Sequence, residues 1–384
     1  MESEKLLLHN VLLDNEVVDI TIADGFIKCV TKSKVEGGTI VESDGFPLST
    51  FHFPLAIFPG LCNMHSHAPM TLFRGLGDDQ PLDVWLKDYI WPAEQKLTDE
   101  LVYEGTLQAC REMLASGTTA FNDMYFRLPA MAQAVKDSGI RAMLGFNIFG
   151  DGEELDNPET ARLITLNSNL ITYTIAPHSI YTVSEKGLRR CADACKALGV
   201  PMHIHMSETQ KEVDDCLQEH GCRPWEWLDK LGILDNLGQN IIAAHCLHLS
   251  EQEIHLIGDH GITCVHCPNS NLKLGSGYRF PMLELLDAGA NVMLGTDGSA
   301  SSNNLDMVEV MKTAALLQKG WRGDPTVVPA SQILRMATGG HTIAQGQPAC
   351  LFLSTAKSLS DLVYACHGDS VVLTMVGGKI VYQK

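Results

Sequence analysis

Apolar runs alternate with amphipathic segments from about residue 55 onward. Segments such as SEKGLRRCADACKALG carry apolar residues at helical spacing and end in glycine, as helices do. Repeated strand and helix units of this kind predict a parallel sheet closed into a (β/α)8 TIM-type barrel over residues 55–345. The eight runs are LAIFPGL, TTAFNDM, RAMLGFNIF, TYTIAPH, VPMHIHM, NIIAAHC, GITCVHC and NVMLGTD.

Most of these runs finish on, or just before, a polar residue. Catalytic residues in such barrels lie at the carboxyl ends of the strands, so the polar positions are candidates for chemistry. They are His65 and His67, Asp123, Asn147, His178, His205, His245, His266 and Asp297.

The two ends of the chain have a different pattern. LLLHNVLL, VVDITIAD and GFIKCVT are short strands separated by turns, and VVLTMVGGKIVYQK predicts a hairpin turning at Gly377-Gly378. Neither end could bury a core alone, and each would leave a sheet edge exposed. We therefore expect residues 1–54 and 346–384 to pack together as a small β-sandwich domain beside the barrel.

Charge and hydropathy exclude several classes of partner. The chain has 28 Lys and Arg against 46 Asp and Glu, and its net charge of -18 would repel the phosphates of a nucleic-acid polymer. No apolar run approaches the length of a membrane span. Neither a nucleic-acid polymer nor a membrane is therefore expected as a partner.

The start of the chain and its cysteines indicate the cytoplasm. MESEKLLLHN lacks the basic and long apolar regions of a secretory signal. The twelve cysteines are scattered through apolar segments, as reduced thiols are. Cys264 and Cys267 form a C-x-x-C without a second pair, and we interpret them as packing residues.

His65 and His67 in NMHSHAP are the first candidates for a metal site. Side chains two apart in a strand point to the same side, so both could bind one ion. His205 and Asp297 fall at the ends of other predicted strands and could converge on the same point. Three imidazoles and one carboxylate suit zinc or a similar divalent ion and leave a position for water.

Glu208 in HMSE is the candidate acid and base, because it follows His205 into the loop and can reach a water at the metal. His245 and His178 end two further strands, where they could act in catalysis or serve as hydrogen-bonded barrel histidines. For His203 and His266 we favour a packed or supporting role.

Several of these motifs resemble those of the amidohydrolase superfamily, over nearly the whole chain. The chain is most similar to 5'-methylthioadenosine/S-adenosylhomocysteine deaminases and chlorohydrolase-like aminohydrolases, chiefly through NLKLGSG, MTLFRG and WPAEQKLTDE. The motifs that carry the wider resemblance are PGLCNMHSH, APHS, HMSET, AAHCLHL, HCPNSNLKLGSG and LGTDGSASSNN.

The resemblance implies deamination of the adenine ring in adenosine or a 5'-modified adenosine. One divalent metal, zinc first and Fe2+, Mn2+ or Ni2+ as alternatives, would be held by His65, His67, His205 and Asp297. Glu208 would carry a proton to a ring nitrogen, His245 would orient or polarise the attacking water, and Asp297 would accept its proton. Substrate contacts are implied for Trp85, Glu94, His178, Glu208 and Ser301. The family also implies a homo-oligomer.

Other functions stay open at this point. An aminohydrolase or chlorohydrolase acting on a free purine, pterin or triazine would have less need of Glu94. A cyclic amide hydrolase would be expected to carry a lysine in TYTIAPHS, which has none, and a non-catalytic protein would be expected to lose Glu208 or a ligand. Phe146 stands where some deaminases of this group have a substrate-binding arginine, which favours a small or apolar 5' substituent.

Overall fold

The structure, a computed structural model, describes residues 5–34, 37–43, 46–164, 166 and 168–384. Part of the segment MESEKLLLHN, on which the expected cytoplasmic location draws, lies outside these residues. The described strands are β1 (Leu6–Leu13), β2 (Glu16–Ala23), β3 (Phe26–Lys32), β4 (Ile40–Ser43), β5 (Phe46–Thr50), β6 (Ala56–Pro59), β7 (Leu61–Ser66), β8 (Thr118–Tyr125), β9 (Arg141–Ile148), β10 (Ile171–Pro177), β11 (Met202–Met206), β12 (Ile241–His245), β13 (Thr263–His266), β14 (Asn291–Leu294), β15 (Leu351–Ser354), β16 (Val371–Val376) and β17 (Lys379–Gln383).

Strands β7 to β14 form a parallel sheet in which each strand pairs with the next along the chain. The last strand returns to the first, because the backbone N–H of Asp297 donates to the carbonyl of His65 at 2.9 Å. All five residues of β11 and of β12 are buried, as expected for strands covered on both faces. The predicted barrel is confirmed, and its carboxyl strand ends all lie on one face.

Strands from both ends of the chain share one mixed sheet. Its main path runs β17-β16-β15-β6-β1-β2-β3, and β4 joins it through β1 while pairing with β5. Apolar residues such as Leu8, Ile20 and Leu373 are completely buried in its core. The predicted terminal hairpin is present, and Gly377 (φ 54°) and Gly378 (φ 80°) supply the positive φ angles that a two-residue turn requires.

The first strand of the barrel begins a few residues later than the sequence suggested. Residues 56–59 were expected to open the barrel, but β6 pairs with β15 and β1 in the terminal sheet. The backbone N–H of Gly60 donates to the carbonyl of Cys350, just before β15 of the terminal sheet. The backbone N–H of the next residue, Leu61, donates to the carbonyl of Gly117, just before β8 of the barrel. An added Cβ at Gly60 would lie 2.2 Å from the Thr119 hydroxyl, so only glycine fits this crossing. The division into two domains stays a prediction.

Helices surround the barrel as the amphipathic segments predicted. The segment SEKGLRRCADACKALG forms a helix with Ser184 as its N-cap and Gly199 in the left-handed conformation after its last turn. Its buried face packs on β10. The α-helices are α1 (Leu82–Val84), α2 (Trp91–Glu94), α3 (Asp99–Ala115), α4 (Leu128–Ser138), α5 (Pro158–Ile164), α6 (Glu185–Leu198), α7 (Gln210–His220), α8 (Pro224–Lys230), α9 (Ile233–Leu237), α10 (Glu251–Asp259), α11 (Pro268–Lys273), α12 (Met282–Asp287), α13 (Met307–Arg322), α14 (Ala330–Thr338) and α15 (Leu359–Tyr364).

Residues 68–96, which we call the wall segment, pass over the carboxyl face of the barrel in short helical pieces. A 3-10 turn at Ala68–Phe73 is followed by α1, a π-helical turn at Trp85–Ile90 and α2. Single π turns occur often at functional sites. Among the described residues, no helix has the length and apolar character needed to cross a membrane.

Candidate active site

Four side chains meet at the carboxyl end of the barrel. His65 lies on β7 with His67 just beyond it, His205 lies on β11, and Asp297 follows β14. The Nε2 atoms of His65 and His67 are each 3.3 Å from Oδ1 of Asp297, and Nε2 of His205 is 3.3 Å from Nε2 of His67. Ligands with bonds of about 2.0 to 2.1 Å around a tetrahedral ion are separated by about 3.3 Å. This spacing fits a bound metal.

The hydrogen bonds of these histidines leave lone pairs facing one another. Nδ1 of His67 donates to the Met124 carbonyl and Nδ1 of His205 to the His178 carbonyl, both at 2.7 Å. A neutral imidazole that donates through Nδ1 has its lone pair on Nε2. Nε2 of His65 is also buried and has no hydrogen-bond partner among the described residues. Acceptors gathered this closely need a cation between them, and a divalent metal meets that need.

His203 supports this cluster from below, with its Nε2 3.0 Å from Nδ1 of His65. The supporting role favoured for His203 is consistent with this contact. His266 instead stacks on Phe280 at 4.3 Å between ring centroids. Cys264 and Cys267 are buried free thiols, as their interpretation as packing residues required.

The backbone bends sharply where two strands deliver their side chains. His245 (φ 73°) and Asp297 (φ 63°) have left-handed conformations that residues other than glycine seldom adopt. Such strain persists where the surroundings hold it. Here Asp297 accepts hydrogen bonds from the Ser270 hydroxyl at 2.6 Å and the Gly298 N–H at 2.7 Å.

Glu208 lies beside these candidate ligands and against His245. Its Oε2 is 3.8 Å from Nε2 of His245, and its Oε1 accepts a hydrogen bond from the Ser276 hydroxyl at 3.1 Å. Nδ1 of His245 donates to Oδ1 of Asn271 at 2.9 Å, which directs its Nε2 toward the site. The carboxylate and imidazole can thus act on the same reacting atoms.

One cavity connects this cluster with the wall segment. Its lining includes the candidate ligands His67, His205 and Asp297 together with Glu208 and His245. The predicted substrate contacts Trp85, Glu94, His178 and Ser301 line the same cavity. The remaining lining is mainly apolar and aromatic, as in many small-molecule sites. It consists of Met70, Leu82, Leu86, Ile90, Trp91, Tyr125, Phe126, Asn147, Phe149, Tyr181 and Leu274.

Burial changes the ionisation of two of these cavity residues. Burial raises the pKa of Glu94, while the neighbouring Tyr125 hydroxyl and His67 act to lower it. Burial also lowers the pKa of His178 to about 3. His178 is therefore a neutral ring, and it stacks on Phe149 at 5.1 Å between centroids.

Residues 56–381 match the amidohydrolase family. The chain belongs to the amidohydrolase family. Among similar amidohydrolases, a 5'-deoxyadenosine deaminase of Methanoregula boonei is 44% identical over 99% of this chain and 90% of its own length. A 5-methylthioadenosine/S-adenosylhomocysteine deaminase of Nitratidesulfovibrio vulgaris is 42% identical over 85% of this chain and 79% of its own length.

A solved structure is similar over most of the fold. The adenosine deaminase of Xanthomonas campestris, crystallised with bound zinc, superposes with a TM-score of 0.85 at 34% identity. The match covers 94% of this chain and 88% of that one. The superfamily resemblance and the barrel fold predicted from the sequence are confirmed. The family uses a divalent metal, and the three histidines and one aspartate of this amidohydrolase form a possible site for it.

Every predicted site residue reaches the cavity or the cluster of candidate ligands, but Phe146 does not line the cavity. Phe146 is buried in the hydrophobic core, 5.8 Å from the ring of Tyr173, and is not among the described residues that line the cavity. Its neighbours Asn147 and Phe149 line the cavity instead. The correspondence of Phe146 with the substrate-binding arginine of some deaminases stays a prediction.

Sequence reasoning missed the residues that hold the predicted ones in place. Three hydrogen bonds do this: one joins Ser270 to Asp297, one joins Asn271 to His245, and one joins Ser276 to Glu208. Ser270, Asn271 and Ser276 all lie in HCPNSNLKLGSG, a motif that carried the resemblance but to which no role had been assigned. The signal was present as a run of small polar residues after a barrel strand, where catalytic loops occur.

Proposed function

We propose that this amidohydrolase removes the amino group from the adenine ring of adenosine or a 5'-modified adenosine by hydrolysis. The observation that carries the proposal is the single cavity that joins the metal ligands and Glu208 to Glu94 and Trp85. The identities of the similar deaminases support it. Ammonia and the inosine analogue are the products.

We assign His65, His67, His205 and Asp297 as the residues that would hold one divalent ion, with zinc as the first choice. When bound, such an ion supplies Lewis-acid chemistry that lowers the pKa of a water molecule toward 7. Zinc in the similar adenosine deaminase and the geometry of the donor set support this choice.

The protein's own groups then move the protons. Asp297 takes a proton from the attacking water, and His245 orients that water through Nε2. Glu208 delivers a proton to the ring nitrogen beside the reacting carbon. As the new C–O bond forms and the C–N bond breaks, the amino group receives the proton held by Asp297 and leaves as ammonia. The second proton of the water returns to Glu208 and replaces the one given to the ring nitrogen.

Glu94 and Trp85 recognise the nucleoside in this proposal. A carboxylate can accept hydrogen bonds from two vicinal ribose hydroxyls, and such charge-assisted bonds are strong. Trp85 is kept in place because its Nε1 donates to the Leu76 carbonyl at 3.0 Å, which leaves its ring face for packing. His178 and Ser301 complete the lining of the pocket for the base and sugar.

The 5' end of the substrate meets an apolar surface. Among the described residues that line the cavity, none is a lysine or an arginine. Phe126 and Phe149 stack at 6.1 Å between ring centroids, and their faces suit a small apolar group. We therefore propose 5'-deoxyadenosine, 5'-methylthioadenosine and adenosine as better substrates than S-adenosylhomocysteine.

The twelve free cysteines support a cytoplasmic location, and assembly as a homo-oligomer is proposed by analogy with the family.

A substrate panel tests the proposed function. Ammonia release and loss of adenine absorbance should be measured for the four nucleosides, free adenine, guanine, a pterin and a triazine. The expected result is a clear preference in kcat/KM for the nucleosides. A preference for a free base, pterin or triazine would overturn the proposal, and a preference for S-adenosylhomocysteine would contradict the proposed ranking of 5' substituents.

A further inference from the structure

Glu208 stands on a strained turn between β11 and α7. The preceding residue, Ser207, has a φ of 50°, in the left-handed region. The carboxylate of Glu212 accepts hydrogen bonds from both residues of this turn, from the Ser207 N–H at 2.7 Å and from the Glu208 N–H at 2.8 Å. One buried side chain therefore satisfies the two backbone donors that orient Glu208.

The carbonyl side of the same turn is also held. The carbonyl of Ser207 accepts from the backbone N–H groups of Leu247 and His248, each at 3.0 Å. These residues follow β12, which delivers His245 to the site. The turn that carries Glu208 is thus attached both to its own helix and to the neighbouring strand end.

Ser276 holds the other end of Glu208. Its hydroxyl donates to Oε1 at 3.1 Å, and its own carbonyl accepts from Nε2 of His248 at 2.7 Å. Both Ser276 and Glu208 are buried. Because Oε1 is occupied, Oε2 is the oxygen that faces His245 and remains available to the reacting atoms.

We propose that Glu212 and Ser276 are positioning residues that hold Glu208 so that Oε2 carries the proton to the substrate. This inference rests on the proposed function for the reaction, but the contacts are independent of which heterocycle is bound. A carboxylate on a freely rotating side chain would have to be ordered in each turnover, whereas a fixed one is ready for transfer.

The chemistry of Glu212 suits a structural anchor for the turn. It is buried, and burial raises its pKa to about 7 while the two backbone donors act to lower it. Its backbone N–H is itself bound by the Thr209 hydroxyl at the start of α7. Glutamine at this position would offer one acceptor where two N–H groups need partners, so the turn would lose one bond.

Variants of both residues test the proposal in metal-loaded enzyme. Ser276→Ala and Glu212→Gln should each lower kcat about 10-fold, with KM changed less than about 2-fold, because loss of a hydrogen bond to a charged group has effects of this size. Ser276→Thr keeps the hydroxyl and should restore most of the rate. Ser354→Ala in the terminal sheet is the control for Ser276→Ala, because it also removes a buried hydroxyl that forms a hydrogen bond. Asp306→Asn is the control for Glu212→Gln, because the Asp306 carboxylate also accepts hydrogen bonds from backbone N–H groups at the start of a helix.

Combination with Glu208→Gln separates positioning from a general structural defect. If both residues act through Glu208, neither substitution should lower the residual rate of Glu208→Gln further. A further 10-fold loss in that background would overturn the proposal, as would single variants with wild-type kcat.

A second measurement does not depend on activity. Amide hydrogen exchange at Ser207 and Glu208 should be faster in Glu212→Gln than in wild type or Asp306→Asn, and a crystal structure of Ser276→Ala should show the Glu208 carboxylate rotated or in several orientations. Unchanged exchange together with an unchanged carboxylate would refute the positioning role. Wild-type enzyme that deaminates nothing on the panel would instead refute the proposed function.

Discussion

The floor and the wall of the active-site cavity are built in different ways. The floor consists of strand-end residues whose backbones belong to the barrel and whose side chains are hydrogen-bonded on the side away from the metal position, such as His67 to Met124. The wall segment, residues 68–96, is a series of short helical turns outside the sheet. It is attached through contacts such as the ion pair between Lys273 and Asp78.

This difference separates chemistry from recognition. In the proposed function the proton-transfer groups follow barrel strands, whereas Glu94 and Trp85, which are proposed to recognise the nucleoside, lie in the wall segment, a connection of the kind that varies most. We therefore expect floor substitutions to abolish turnover of every substrate and wall substitutions to change the ranking of substrates.

The largest effect is expected at the metal ligands. His67→Ala and Asp297→Ala should lose both the metal and activity, because each removes a side chain from a four-ligand set. Elemental analysis of wild type should give about one divalent ion per chain. His260→Ala is the control and should keep both the metal and the activity, because His260 pairs with Asp235 and not with the candidate ligands. Two ions per chain, or an active metal-free enzyme, would contradict the assignment.

Substitution of Glu208 tests proton transfer by a floor residue that is not one of the proposed metal ligands. Glu208→Gln should fold and keep its metal but lower kcat by 10² or more, because an amide cannot carry the proton to the ring nitrogen. Steady-state kinetics and elemental analysis measure the two properties together. Glu104→Gln, on the exposed face of α3, is the control. More than about a tenth of the rate remaining would exclude Glu208 as the proton carrier.

Substitution of Glu94 tests substrate recognition by the wall segment. Glu94→Ala should lower kcat/KM for nucleosides about 10²-fold, because two charge-assisted hydrogen bonds to ribose are removed, and should leave any activity on free adenine nearly unchanged. The measurement is the ratio of kcat/KM for nucleoside and free base, with Glu104→Ala as control. An unchanged ratio would remove Glu94 from the ribose site.

The smallest effect is expected where the wall segment is attached. Nζ of Lys273 is 2.6 Å from Asp78 and 2.9 Å from the Ala300 carbonyl, next to the cavity residue Ser301. Lys273→Met should raise KM roughly 2- to 5-fold with little change in kcat, because partly exposed ion pairs contribute modestly. Lys186→Met is the control, because it breaks a surface ion pair with Asp151 and should leave KM unchanged. Equal KM values in the two variants would argue against attachment of the wall segment through Lys273.

Local sequence patterns predicted the barrel and grouped four candidate ligands that the structure brings together. Apolar runs ending in His65, His205 or Asp297 reflect strands buried on both faces whose last residues leave the core, and parallel topology then brings those ends to one face. His67 could be grouped with His65 because the alternation of side chains along a strand is a local property.

Contacts between distant parts of the chain could not be obtained in the same way. The pairing of Ser276 with Glu208 joins residues 68 positions apart, and the place of Phe146 depended on which face of β9 turns toward Tyr173. A shift of one residue in a strand reverses the direction of every side chain, so the pattern of the strand alone did not decide whether Phe146 or Asn147 faces the cavity.

The sequence by itself determined the class of fold, the family and the set of residues able to bind a metal, because these depend on periodicity and on residue type at strand ends. Only the tertiary structure decided the ring tautomers that direct lone pairs to one point, the left-handed bends at Ser207, His245 and Asp297, and the approach of Glu94 to the same cavity. Those features arise from long-range packing, which holds backbone and side chains in orientations that local preferences do not favour.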